Sequence, residues 1–450
     1  MDWQESRIMN VGLGKYRAYL TRISGRWYDE NMYLRGNRWS MTRRPARRSS
    51  PWRIILLVIA IGIMLYINQV VVPATPPLFI STPTPTRSPE SFVNEAEKSF
   101  NDGKLAQAIS AYKDAIIADP DNPTLYVTLA RIQVFAGEYE DAVTNAQNAL
   151  LKNPNNPQAH AVHGWALGFT GEYLEAETAL KKALELDPNN ALAHAYYAEI
   201  LVNRGDFEDF DKAASASRRA KELDPNLLEV HRARGLVLVN SGAENIAEAI
   251  EEFKAAIAIN DKIADLHLNL GFAYRVSGDN GLAVDELLAA YALNPKNPDI
   301  PSEIMFAYAN EGQYGKAAQY GEDAVKIEPS NPRLRGNLGI MYYQQSKATQ
   351  DQSVMNQAIV ELGLAVRGGT SEDGIAIQGL PLDYSKVAEY YWFYGFALAR
   401  SNRCNEAVPI FQALASGVPD YELAVANAQA GLEMCLVSLE TPAPETTPTP

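Results

Sequence analysis

Four residue series run through the middle of the chain in one register. Pro120, Pro154 and Pro188 are 34 residues apart; Pro225 follows after 37, Asp261 after 36, and Pro295 and Pro329 after 34 each. Glycines keep step at Gly103, Gly137, Gly171, Gly205, Gly242, Gly278 and Gly312. One alanine series reads Ala108, Ala142, Ala176, Ala213, Ala249, Ala283 and Ala317; a second reads Ala115, Ala149, Ala183, Ala220, Ala256, Ala290 and Ala324. A repeat of this length and fidelity is the mark of stacked small units rather than one globular core.

The stretch GEYLEAETALKKALELDPNN, Gly171 to Asn190, shows how one unit works. Gly171 closes the preceding helix, where a left-handed residue costs glycine little. Tyr173, Ala176, Leu180, Ala183, Leu184 and Leu186 recur at helical spacing and form one apolar stripe. Asp187-Pro188 stops the helix, because proline has no N–H and biases its predecessor away from helix. Asn189-Asn190 then turns the chain into the next helix. A hairpin this small cannot bury its own apolar face, so neighbours must stack.

The register Gly137, Tyr139, Ala142, Ala149, Pro154, repeated as Gly171, Tyr173, Ala176, Ala183, Pro188, resembles the tetratricopeptide repeat family over about residues 89–420. The resemblance implies an all-α, right-handed superhelical solenoid. Nine units start near Pro89, Pro123, Pro157, Ala191, Leu228, Ala264, Pro298, Pro332 and Ala388, with extra residues near Glu208 and Ala243. The eighth is irregular after Ser346, and the ninth lacks the glycine between its helices. A Gly-rich insertion at 368–386 reads as a loop or small hairpin, and Asp420–Leu439 as a capping helix. The solenoid domain is set at 91–439.

Ahead of the repeats, Ile54 to Val72 gives 19 uncharged, mostly apolar residues, long enough to cross a bilayer as a helix. No charged residue occurs between Arg53 and Arg87, and Arg43, Arg44, Arg47, Arg48 and Arg53 flank only one side. Residues 1–53 carry a net charge of +8 and the rest a net of −22. The positive-inside rule then gives a basic cytoplasmic tail (1–51), a transmembrane signal anchor (52–72) and an extracytoplasmic body. Trp52 and Tyr66 suit the interfaces. The 53 residues before the run favour an uncleaved anchor over a cleaved signal peptide or a twin-arginine signal. Residues 73–90 hold six prolines and four threonines and read as an extended linker; 440–450 has the same character and reads as disordered.

The acidic body disfavours nucleic acid, whose phosphates it repels. No Gly-rich phosphate loop, HExxH, nucleophile elbow or Cys/His metal spacing is present, so the chain does not read as an enzyme and implies no cofactor. His160, His194, His231 and His267 share one repeat position, with His163 the fifth histidine. Helices pack roughly 8–10 Å apart, too far for a metal ladder, and the reading is packing at the seam between repeats. Cys404 and Cys435 fall at matching levels of two antiparallel helices. In an exported body this points to a disulfide, the alternative being two buried thiols.

The resemblance also implies a concave groove lined by first-helix side chains. Carried over unit by unit, its positions are Phe135, Trp165, Phe169, Phe272, Phe306, Tyr343, Trp392 and Phe396, with Arg131, Arg232, Arg275 and Arg400 among them. Large aromatics and arginines favour interface hot spots; the competing reading is packing between repeats. The Lys/Asn set of the family's dicarboxylate clamp is missing. The expected function is a membrane-anchored scaffold that binds a protein or peptide. The alternatives are a carbohydrate- or cell-wall-binding module and a regulatory subunit of a membrane complex.

Overall fold

The computed structural model describes residues 50–71, 87–383 and 385–440. Nearly all of the expected cytoplasmic tail, most of the 73–90 linker and the 440–450 tail except Glu440 lie outside them. The described residues form two units, the first within Met1–Thr84 and the second within Pro85–Pro450.

The first unit holds α1 (Pro51–Tyr66), continued as a π-turn over Ile67–Val71. Pro51–Gln69 is long and apolar enough to cross a membrane by length and composition, with a mean hydropathy of 1.9. None of α1 is buried.

The second unit is an all-α solenoid of nine helix hairpins and a capping helix. Hairpin 1 pairs α2 (Pro89–Asn101) with α3 (Leu105–Ala118); hairpin 2, α4 (Pro123–Ala136) with α5 (Tyr139–Lys152); hairpin 3, α6 (Pro157–Phe169) with α7 (Tyr173–Leu186). Hairpin 4 pairs α8 (Ala191–Arg204) with α9 (Phe210–Leu223); hairpin 5, α10 (Leu228–Asn240) with α11 (Ile246–Ile259); hairpin 6, α12 (Ala264–Ser277) with α13 (Asn280–Leu293). Hairpin 7 pairs α14 (Asp299–Asn310) with α15 (Tyr314–Ile327); hairpin 8, α16 (Pro332–Thr349) with α17 (Gln352–Arg367); hairpin 9, α18 (Ser385–Arg400) with α19 (Cys404–Gly417). The cap is α20 (Glu422–Glu440).

Each repeat series does one physical job. The seven glycines all take positive φ, from +73° at Gly312 to +130° at Gly242. The alanines of both series are at most 1% exposed, so they sit where helices come closest. Asn122, Asn156, Asn190 and Asn331 cap first helices, their side chains accepting from N–H groups of the first turn.

Departures from the register have local causes. The extra residues of hairpins 4 and 5 form short 3-10 turns, Phe207–Asp209 and Ala243–Asn245. In hairpin 8 the glycine's place is taken by Ser346. The helix therefore runs on to Thr349 and turns at Gln350, which takes φ +57°. In hairpin 9, Asn402 supplies the left-handed turn at φ +58°, a conformation asparagine tolerates better than most residues. The 368–386 insertion forms a small antiparallel hairpin, β1 (Gly369–Thr370) and β2 (Ala376–Ile377), that keeps Ile377 buried.

The solenoid closes on its own earlier part. Gly103, in the turn of hairpin 1, meets the turn between hairpins 5 and 6 so tightly that a Cβ there would lie 2.6 Å from the Cβ of Lys262. One core cluster runs from Val127 through Trp165 and Tyr196 to Ile263 and Leu266. At the far end Cys404 and Cys435 are disulfide-bonded, their Cα atoms 5.5 Å apart, tying α19 to the cap.

Candidate functional site

Four histidines at one repeat position share a single geometry. Nε2 of His160, His194, His231 and His267 lies 2.9, 3.0, 2.7 and 3.0 Å from the carbonyl oxygen six residues earlier, at Pro154, Pro188, Pro225 and Asp261. A carbonyl only accepts, so Nε2 carries the donated proton. Tyr126 and Arg335 occupy the same position and donate to Pro120 and Pro329. The position thus fastens each first helix to the turn before it. Nδ1 of His267 also reaches Glu286 at 2.6 Å, and that hydrogen bond raises the imidazole above its ordinary pKa, against the effect of burial. Among the described residues no group of three or more His, Cys, Asp or Glu could hold a metal ion.

The twelve expected groove residues divide sharply. In hairpins 2 to 5 they pack on each other. The Trp165 ring stacks on Tyr196 at 4.2 Å and meets Phe135 edge-on at 5.2 Å; Phe169 stacks on Tyr139 at 4.7 Å. Arg232 pairs with Glu199 and with Asp265, and its guanidinium lies 5.7 Å from the Trp165 ring. Arg131 reaches across the inner face to Glu229, 98 residues away. Trp165 is fully buried and Arg232 is 4% exposed. This part of the expected groove is filled largely by the protein's own side chains, which leaves Trp165 and Arg232 unable to meet a partner without opening the solenoid. A sugar-stacking role for Trp165 fails for the same reason.

In hairpins 8 and 9 most of the expected residues are again packed. Tyr343 meets Phe393 at 5.2 Å and accepts from Arg400; Trp392 lies against Tyr421, and Phe396 against Phe411. What remains open is the middle. Phe272, Phe306 and Arg275 belong to the first helices of hairpins 6 and 7. Both phenylalanines line a cavity of ≈ 470 Å³ on the faces of α10, α12, α14 and α16.

The walls of this groove are apolar at Leu236, Val239, Leu268 and Leu334 and polar at Asn269, Asp299, Ser302, Glu303, Arg333 and Asn337. The Arg275 guanidinium lies 5.0 Å from the Phe272 ring and 5.6 Å from the Phe306 ring, and Nε donates to Glu303 at 2.7 Å. Burial nevertheless pushes the Glu303 carboxyl up. Asp299, exposed at the mouth of the groove, is raised too, by partial loss of water around its carboxyl and by the nearby charges of Glu328 and Asp265. Among the described residues its carboxylate has no hydrogen-bond or ion-pair partner. The hydroxyl of Ser302, a residue 7% exposed, is likewise unpartnered.

Sequence reasoning found Phe272, Phe306 and Arg275 but missed Asp299, Ser302 and Glu303. The register marks them as first-helix positions, Ser302 and Glu303 lying 3 and 4 residues after Asp299 on one face of α14, but two acids and a serine look like any solvated surface. It also missed Glu199 and Glu229, buried counterions of the filled half, for the same reason.

The difference between the halves comes from small residues. Gly168 in α6 admits Ile200 of α8 so closely that no Cβ would fit. Ala161, Ala195 and Ala198 leave further room, and α6, α8, α10 stack directly. From α12 onward the first helices touch one another far less.

Tetratricopeptide repeat profiles match residues 100–166, 170–233 and 234–298. With nine stacked hairpins in the same register, the family is settled. The chain belongs to the tetratricopeptide repeat family. Among solved structures, a monomeric IFIT1 variant bound to m7Gppp-AAAA shares the fold at TM-score 0.50 and 17% identity, covering 79% of this chain and 83% of its own. The human IFIT1 dimer with the same ligand aligns at TM-score 0.46, again at 17% identity, over 78% of this chain and 90% of its own. A tetratricopeptide repeat protein from Parabacteroides merdae aligns at TM-score 0.37 and 15% identity, over 56% of this chain and 98% of its own. No curated protein matches the sequence.

Proposed function

We propose that this tetratricopeptide repeat protein is a non-enzymatic scaffold of the bacterial cell envelope. It is held by α1 in the cytoplasmic membrane and binds a protein segment in the groove of hairpins 5 to 8. The observation that carries the reading is the groove itself: four first helices leave a cavity lined by two half-buried phenylalanines, while Trp165 and Arg232 on the earlier hairpins are buried. A preformed groove of this kind accepts an extended or helical segment at low ordering cost. Nucleic acid remains disfavoured on this reading. The solved IFIT1 structures hold a capped RNA, but the groove here exposes carboxylates that repel phosphate.

The membrane part rests on the apolar run and on the charge step across it, +8 to −22, which directs the basic tail to the cytoplasm and the repeats outside. Protease added to spheroplasts is expected to degrade the repeats and spare the tail; protected repeats overturn the orientation. A photo-crosslinking residue at Asn337, in the groove, is expected to capture a partner in cells. The same residue at Lys181, on an outer helix, is expected to capture little, and equal capture overturns the groove as the binding site.

A further inference from the structure

We propose that the groove of hairpins 5 to 8 selects a segment carrying a lysine or arginine, and that the cation seats against Asp299. The inference rests on the groove reading above and narrows its partner.

Three observations converge. First, the carboxylate of Asp299 lines the cavity without a partner, whereas Glu303 one turn along is already engaged by Arg275. Asp299 is therefore the acid left to meet an incoming charge. Second, Ser302, on the same face of α14 and 7% exposed, leaves its hydroxyl unpartnered at the cavity wall. A buried polar atom without a partner costs free energy that a bound donor or acceptor recovers. Third, the charges around Asp299 disfavour an anion. Asp265 and Glu328 already act on it. Of the cations around the groove, Arg275 is held by Glu303 beside two aromatic rings, Arg333, on the α16 wall, is itself engaged, and Arg232 is paired with Glu199 and Asp265.

The chemistry of the occupant follows. The apolar wall of Leu236, Val239, Leu268 and Leu334 takes the stem of a long side chain, and the charged end reaches the carboxylate. A cation arriving at a partly enclosed carboxylate makes a charge-assisted hydrogen bond, stronger than a neutral one. Asn269 already donates to Asp265 and Asn337 accepts from Tyr390, which leaves the Asn269 oxygen and the Asn337 N–H groups for the backbone of an extended segment.

The test uses the full chain in detergent and three fluorescein-labelled peptides, Gly-Leu-X-Leu-Gly, with lysine, norleucine or glutamate at X. Fluorescence anisotropy at pH 7 is expected to rank lysine at least about tenfold tighter than norleucine, with glutamate weakest. Asp299→Asn, which keeps the side chain's shape, is expected to erase the lysine advantage and leave norleucine binding unchanged. Lysine binding is expected to weaken as pH falls through the raised carboxylate range, because protonation removes the partner charge. Equal binding of the three peptides, no binding of the lysine peptide, or a lysine preference that survives Asp299→Asn overturns the proposal. Each of these leaves the groove reading standing if crosslinking at Asn337 still captures a partner. The peptide comparison needs no variant, so a folding defect in Asp299→Asn does not remove the test.

Discussion

In hairpins 2 to 5 the inner face holds Trp165, Tyr196, Phe135, Arg232 and Glu199, packed and ion-paired; in hairpins 5 to 8 the same face holds Phe272, Phe306, Asp299 and Glu303 around open space. Both stretches use one repeat register and the same alanine and glycine series. They differ in the residues that vary within the register: small ones at the first-helix contacts of the early hairpins, bulkier or polar ones later. A repeat fold can thus spend the same inner face on internal stability or on a binding surface.

The sharpest way to break this comparison is a matched pair of truncations. Trp165→Ala is expected to cost about 3–5 kcal/mol by emptying a fully buried site. Phe306→Ala is expected to cost about 1 kcal/mol or less in stability and to weaken partner capture instead. Denaturant unfolding checks the first and crosslinking yield the second. Equal stability losses would remove the distinction between the halves. Arg232→Met is expected to cost about 3–5 kcal/mol, because it strands Glu199 as a buried charge. Hydrogen exchange should show the loss in α8, α10 and α12 and leave α16 to α19 protected, since repeat arrays respond locally.

At the other end, Cys404→Ser removes the bond to Cys435 and is expected to cost about 2–4 kcal/mol, confined to hairpin 9 and the cap. Loss of protection reaching α8 would show that the two regions are coupled. The smallest expected effect is at His267. Its imidazole is raised by Glu286, so the protonated form is favoured in the folded state. Its contribution is full below the ordinary histidine pKa and is lost as pH rises through the higher folded value. His267→Gln should therefore lower stability by under about 1 kcal/mol, more at pH 5.5 than at pH 8. Among the described residues His160 has no carboxylate hydrogen-bonded to its ring, and it serves as the control.

Much of the architecture is legible in the amino-acid sequence alone. The nine hairpins, the two lengthened turns, the cap and the matched levels of Cys404 and Cys435 follow from local spacing, because a helix start or a left-handed glycine depends on nearby residues; that the two cysteines are bonded is shown by the structure. The histidine series is legible as structural, but its bond to the carbonyl six residues back is not. The groove is legible only as a set of first-helix positions. Nothing in the types Trp165 and Phe272 says that one is buried and the other lines a cavity.

The sequence by itself determined the unit and its stacking. The 34-residue register sets which faces are apolar, where helices end and how close neighbours come. It also sets the charge step and the apolar run on which the proposed anchoring rests. Only the tertiary structure decided which part of the inner face stays open. That depends on pairs such as Arg131 with Glu229 and Gly103 with Lys262, brought together by the accumulated rotation of several hairpins. A periodic sequence reports contacts between neighbouring units; the small angles that add up over four or five of them, and hence where the solenoid meets itself, are set by packing that no single repeat contains.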